Sequence, residues 1–399
     1  MQRNKYVLPN RLFILGLVLE IVFMFTNINS YFQLSGWFLP LLVSALSGIY
    51  LNINQLNRIK KRSFLALLLI ILLGCSILIN NKMLNRGYLI SYLLSFILLF
   101  QVTELDFSKE DINKIAVAYA ISGIIISFMI LFFRVKYYAL TETRLTIQFM
   151  NGPKIDPNYL GGFLTSAATI SLLFIERMNK KIIKLLFVFS TILTSFGTIL
   201  TGSRGAVITL IGCVVLFLVH NNKKLIIRAL ILFVIIIVVS ILFSHFVSSE
   251  TLERFLNVSK WAQDGSNIRR VSLWANAWNT ISKSPILGYG LMGTAEISSS
   301  IGNYSQPAHS TYLEMWCQLG IGVLILLAMI LFDILKCKNK LSTIILVSTL
   351  IPAMFISAEC TFYFFFNIAF SAAISNTDDL EERKFLIEME LNKHEKISL

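Results

Sequence analysis

Charge is scarce in this chain. Asp, Glu, Lys and Arg make up 14% of its 399 residues, where a soluble domain carries about a quarter. That shortage excludes an ordinary water-soluble globule. Histidine is scarcer still, at four residues. The five cysteines, Cys75, Cys213, Cys317, Cys337 and Cys360, show no paired spacing, which argues against a disulfide frame or a cysteine metal site. Four lie in apolar runs and Cys337 in a short basic loop, as free thiols or small packing residues. The sequence contains no P-loop, no Rossmann glycine fingerprint, no HExxH, no cysteine–histidine cluster and no acidic pair with obvious metal spacing. Nucleotide-driven and zinc-dependent chemistry are therefore not expected, and neither a metal nor a cofactor is assigned. No basic block is interleaved with aromatics, so no nucleic-acid partner is expected. No small-residue cleavage site follows the first apolar run, which reads as a membrane span and not as a signal peptide.

What the chain has is apolar length. Hydrophobic residues are 56% of the total, with a mean hydropathy of +0.72. Runs of about 18 apolar residues or more recur, each long enough to cross a bilayer as a helix. The fold class expected is all-α, a polytopic integral membrane bundle of about 12 transmembrane helices. The spans predicted are 11–27, 36–52, 63–80, 88–103, 113–133, 158–176, 182–200, 204–220, 223–246, 310–335, 341–356 and 358–375. Pro352 and Glu359 interrupt the last two. A single bundle thus covers 1–375 and includes a large extracytoplasmic loop, 247–308, before the tenth span. A charged cytoplasmic tail, 376–399, follows.

The net charge of +13 has a membrane explanation, because Lys and Arg hold loops in the cytoplasm. With both termini cytoplasmic, "MQRNKYVLPNR", "NRIKKR", "ERMNKK", "NNKK" and "KCKNK" all fall inside. Three basic segments then remain outside: the loop "RVKYYALTETRLTIQFMNGPKIDPN", the 247–308 loop, and Arg204 between two spans. Positive charge against the orientation rule points to an anionic ligand on the outer face, or to outer loops that simply tolerate it.

Four stretches carry polar chemistry at this face. In "GTILTGSRGAVITL", Gly202 and Gly205 flank Arg204 and permit a tight turn. Arg204 serves either as a snorkelling interface residue or as a planar fork for a phosphate. In "RRVSLWANAWNTISKSPILGYG", Val271, Trp274, Trp278 and Ile281 form an apolar stripe at helical spacing, suited to a membrane interface. Arg270 lies at the edge of that stripe, and Pro285, Gly288 and Gly290 stop the helix. In "KIDPNYLGGFL", Pro157 fits a first helical turn, Asp156 caps it, and Asn158 is available to a sugar hydroxyl. In "HSTYLEMWCQLG", His309, Tyr312 and Trp316 share a helical face with Gly320 below, with Ser310 or Ser305 as cap. Glu314 turns away from His309 on that helix. His309 is either an interface histidine or a proton acceptor near neutral pH.

The ordered set "SRG" before a span, "R-x-x-x-W" followed by "P-I-L-G-Y-G", and "H-S-T-Y-L-E" opening the next span resembles the O-antigen ligase/polymerase superfamily. These are membrane glycosyltransferases that include O-antigen ligases and Wzy-type polysaccharide polymerases. The resemblance covers about residues 150–335. It implies that Arg204 and Arg270 bind the diphosphate of a polyprenyl-diphosphate-linked oligosaccharide donor. It also implies that His309 activates the hydroxyl of a glycan acceptor, either a lipid-linked repeat or a lipid A core. Asn158 matches a recurrent "DPN" segment and, with Tyr312 and Trp274, completes the expected substrate-binding set. The glycines after His309 match the ligase pattern at Gly320 but only partly in "GIGV", so polymerase is favoured over ligase. The expected setting is the bacterial cytoplasmic membrane, with membrane lipid, a flippase and a chain-length regulator as candidate partners. The alternative is a flippase for the lipid-linked oligosaccharide. No internal repeat supports that alternative, and the polar residues crowd the outer face instead of the midplane.

Overall fold

Helices dominate because apolar runs bounded by polar caps fill most of the chain. The computed structural model describes residues 7–23, 38–55, 59–80, 84–139, 142–148, 154–220, 265–300, 307–359 and 361–378. The elements in chain order are α1 (Val7–Phe23), α2 (Phe38–Gln55), α3 (Lys61–Ile79), α4 (Arg86–Glu104), α5 (Lys109–Phe132), β1 (Arg134–Ala139), β2 (Glu142–Ile147), α6 (Pro157–Phe174), α7 (Lys181–Leu200), α8 (Arg204–His220), α9 (Gly265–Ile281), α10 (Thr294–Ser300), α11 (Thr311–Leu319), α12 (Ile321–Lys336), α13 (Lys340–Ala353) and α14 (362–378). Among the described residues, four helices are long and apolar enough to cross a membrane: α3, α4, α5 and α7. The predicted span 223–246 and most of the predicted tail, 376–399, lie outside the described residues.

The caps explain where helices start. Ser108 Oγ accepts from Asp111 N at 3.1 Å, and the Asp111 carboxylate accepts from Ser108 N at 3.4 Å, a reciprocal box that opens α5. Asp156 accepts from Asn158 N at 2.7 Å, with Pro157 at the first helical position of α6. Asn339 accepts from Ser342 N at 3.1 Å to open α13.

Helix α6 is the axis of the molecule, buried along nearly its whole length against α5, α7, α8 and α13. Tyr119 of α5 stacks between Phe163 of α6 and Phe366 and Phe370 of α14, at 6.0, 6.1 and 6.3 Å between ring centroids. The Tyr119 hydroxyl donates to Asn367 Oδ1, and Asn367 Nδ2 donates to Thr349 Oγ1 at 2.8 Å, so the buried polar groups are satisfied in series. Gly161 lets α6 meet the α7–α8 turn. A Cβ there would lie 2.9 Å from Thr201 Oγ1 and 3.0 Å from Ser203 Cβ. This close approach brings the start of α6 beside Arg204.

At the opposite end of the bundle, buried charge is neutralised by carboxylates. Arg62 of α3 reaches Asp333 Oδ2 at 2.7 Å and Asn376 Oδ1 at 2.7 Å, and its Nη2 donates to Cys337 Sγ at 2.8 Å. Arg177 Nη2 lies 2.5 Å from Asp378 Oδ1, whose other oxygen accepts from Asn339 Nδ2 at 2.7 Å. These bonds tie α14 to α3, α12 and α13. The described cysteines Cys75, Cys213, Cys317 and Cys337 are free thiols.

One expectation is corrected and two are refined. The fold is mostly helical, as expected, with one addition: β1 and β2 form an antiparallel hairpin, with Tyr137 opposite Arg144 and Lys136 opposite Leu145. The loop sequence there alternates and is rich in Thr, Tyr and Val, which suits a strand pair. The predicted span 310–335 is two helices, α11 and α12, broken at Gly320. The stripe on α9 is divided: Ile281 packs on the protein side with Leu273 and Ala277, whereas Val271 and Trp278 are more than half exposed.

The break at Gly320 has a steric cause. The backbone of the "PILGYG" segment runs against it: Ile321 N donates to Pro285 O, Tyr289 N to Cys317 O and Gly290 N to Gln318 O, each at 2.9 Å. Gly320 has φ +77 and Gly288 has φ +67, values that L side chains rarely adopt. A Cβ on Gly320 would overlap the Ile286 carbonyl, and one on Gly288 would lie 2.5 Å from Gln318 O. Gly320→Ala is therefore expected to destabilise the fold by about 3 kcal/mol. Gly74→Ala, where a Cβ meets nothing within 4 Å, should be neutral or slightly stabilising. Thermal unfolding of both variants in detergent checks the contrast.

Candidate functional site

The hairpin delivers an arginine that the sequence reading left unassigned. Arg144 on β2 is buried, and its Nη1 donates to Asn158 Oδ1 at 3.0 Å. The geometry follows from short local ties. Ile155 N donates to Ile147 O at 3.2 Å, Thr146 Oγ1 donates to Ile155 O, and Lys154 Nζ donates to Lys136 O at 2.9 Å. These fold residues 154–156 back along the hairpin, so α6 starts beside β2. Asn158 thus acts as the orienting acceptor for Arg144.

Arg204 arrives from a second direction. Gly202 turns the chain with φ +66, Ser203 N donates to Thr201 Oγ1 at 3.3 Å, and Arg204 begins α8. Arg270 arrives from a third, on α9. Its guanidinium carbon sits 5.6 Å from the centroid of Phe355, within cation–π range. Trp274, one turn on, stacks on the same ring at 6.2 Å. Gly205 leaves room for that ring, since a Cβ there would lie 3.2 Å from Phe355 Cδ2. Phe355 is therefore the apolar wedge that aligns α8 with α9.

One small cleft joins these parts. It is lined by Arg144, Asn158, Arg204, Arg270 and Phe355, with Ser203, Gly205, Ala206, Pro352 and Ile356 around them. Three guanidinium groups line it. At the far end of the bundle Arg62 and Arg177 each meet an aspartate.

His309 stands close enough to feel this cluster. It precedes α11 and is not part of it, with φ +48, a left-handed conformation that costs a non-glycine residue on the order of 1 kcal/mol or more. Its expected place on a helical face with Tyr312 is thereby corrected. Ser310 occupies the cap position without a side-chain cap bond, and Ser305 lies outside the described residues. Burial lowers the His309 pKa below its ordinary 6.5, the Asp156 carboxylate raises it, and the charges of Arg270, Arg269 and Arg144 lower it again. The balance favours a neutral imidazole at neutral pH.

Tyr312 and Trp274 are not among the residues that line the cleft. The Tyr312 hydroxyl donates to Leu350 O at 2.8 Å, and Trp274 backs Phe355. Asp156 is the α6 cap, as expected. Arg144 and Phe355 were missed by the sequence reading. The strand alternation of "ETRLTI" was a usable signal for Arg144. Nothing local marks Phe355, whose role comes from where α13 ends.

Four apolar helices of spanning length define a membrane protein, and a basic cleft lies among its other elements. Residues 189–328 match the family model described as O-antigen ligase. The resemblance to the O-antigen ligase/polymerase superfamily therefore stands for this stretch of the chain. The match includes Arg204, Arg270 and His309, while Arg144 and Asn158 precede it. Searches of curated proteins and of solved structures each return no match.

A titration of His309 tests the electrostatics. Its NMR midpoint should fall below 6.5. Arg270→Gln should move the midpoint up, and Asp156→Asn, which keeps a capping side chain, should move it down.

Proposed function

We propose that the chain is a membrane glycosyltransferase that polymerises polyprenyl-diphosphate-linked oligosaccharide repeats on the outer face of the bacterial cytoplasmic membrane. The observation that carries this reading is the cleft in which Arg144, Arg204 and Arg270 meet. Guanidinium forks match phosphate oxygens by parallel charge-assisted hydrogen bonds. A diphosphate bridging two or three such forks is held in position. The charge that builds on it as the sugar–oxygen bond breaks is stabilised there. Diphosphate leaves readily, so the transfer needs no nucleotide.

The acceptor side is His309. A lowered pKa keeps its imidazole neutral and able to take the proton of an acceptor hydroxyl as that oxygen bonds to the anomeric carbon. The anomeric carbon exchanges one oxygen for another, the proton goes to His309, and the electron pair leaves with the diphosphate. Transfer to a lipid-linked repeat is favoured over transfer to a lipid A core. The partial fit of "GIGV" to the ligase glycine pattern is the basis for that choice.

The test is complementation of a deletion strain. Arg204→Ala, Arg270→Ala and His309→Ala should each reduce polymer by about 100-fold at normal expression. Arg144→Ala should do so by about 10-fold or more. Arg204→Lys should rescue poorly, because an ammonium lacks the two-point fork. Normal chain assembly in all four alanine variants would rule the reading out. Purified protein should also join labelled lipid-linked repeats without a membrane gradient, which a flippase would not do.

A further inference from the structure

Glu314 was read from helical spacing as turned away from His309, and in direction it is. Its carboxylate is nonetheless buried and accepts four hydrogen bonds, one of them from the loop that carries His309. Oε1 accepts from Ala308 N at 2.7 Å and from Ser357 Oγ at 3.0 Å. Oε2 accepts from Thr294 Oγ1 at 2.5 Å and from Thr294 N at 3.3 Å. Thr294 Oγ1 in turn accepts from Ala308 N at 3.2 Å. On the other flank of His309, Thr311 Oγ1 donates to Ile356 O at 2.8 Å and accepts from Ala358 N at 2.9 Å. His309 is thus a left-handed residue held between two anchored neighbours. The segment that anchors both, residues 356–358, directly follows Phe355 of the arginine cleft.

We infer that Glu314 is a positioning residue for His309. It clamps Ala308, α10 and Ser357 together and so sets the imidazole against the arginine cleft. The inference rests on the proposed role of His309 in catalysis, but its geometric content does not. An all-acceptor group is required because four donors converge on it. Without it the buried Ala308 amide loses its shortest partner, and the left-handed turn loses what over-determines it.

Two readouts test this. The first is acylation of His309 by diethyl pyrocarbonate, followed by mass spectrometry of the purified protein. Glu314→Ala should speed labelling by about 3- to 10-fold, since local opening becomes easier. Thr294→Val, a milder change that keeps the fold if Glu314→Ala does not, should speed it by about 2-fold. Ser190→Ala, which removes a buried hydroxyl bonded to Ser171 Oγ at 2.9 Å far from the loop, should leave labelling unchanged. The second readout is glycan transfer. Glu314→Ala should lower kcat by about 10- to 100-fold and change KM for the lipid-linked donor by less than about 2-fold, because the arginines are untouched. Unchanged His309 labelling in both clamp variants would overturn the positioning role. So would unchanged kcat in Glu314→Ala while His309→Ala is inactive. Activity retained by His309→Ala would instead overturn the catalytic reading, with labelling still deciding the clamp.

Discussion

A guanidinium group cannot sit at the edge of an apolar bundle without something to replace its water. That constraint organises both ends of this protein. At one end Arg62 and Arg177 meet aspartates, and the resulting ion pairs tie α14 to the rest of the bundle. At the other end Arg144, Arg204 and Arg270 line a cleft. Protein groups take up part of their demand: Asn158 orients Arg144, and the face of Phe355 accepts Arg270. The same residue type is therefore held by aspartates at one end and by an amide and a ring face at the other, and only its neighbours distinguish the two.

Close backbone approach is what allows these groups to meet. At Gly161 the start of α6 is pressed onto the α7–α8 turn, and at Gly320 the "PILGYG" segment crosses a broken helix. Ridges of ordinary side chains would hold these segments several ångströms further apart. The second crossing also bears on His309. Cutting one long helix into α11 and α12 makes α11 a short element anchored at its far end by Pro285, Tyr289 and Gly290. The loop before α11 is then pinned by Glu314 and Thr311, and it holds the imidazole in a backbone conformation that it would not choose alone.

Much of the candidate site was legible in the sequence. Arg204, Arg270 and His309 stood out because they are polar residues in an apolar chain, placed in order between spans. Asp156 and Pro157 announced a helix start, because capping is decided within four residues. Arg144 was harder to see. Its strand is short, and its partner Asn158 is brought near only by the fold-back of 154–156. Phe355 and Glu314 were not readable at all. One is a phenylalanine among many, and the other was rightly turned away from His309 by a helical wheel that knows nothing of α10.

The sequence by itself determined that the chain is helical and apolar, where most helices begin, and that residues 189–328 resemble the O-antigen ligase family. These follow from hydrophobic periodicity, caps and short motifs, all local in the chain. The tertiary structure decided which arginines share a cleft and which are neutralised, where a long apolar run is broken, and what holds His309. Those outcomes depend on contacts between residues more than a hundred positions apart, such as Arg144 with Arg270 or Arg62 with Asp333. No local pattern encodes how far such segments lie from one another once the chain has packed.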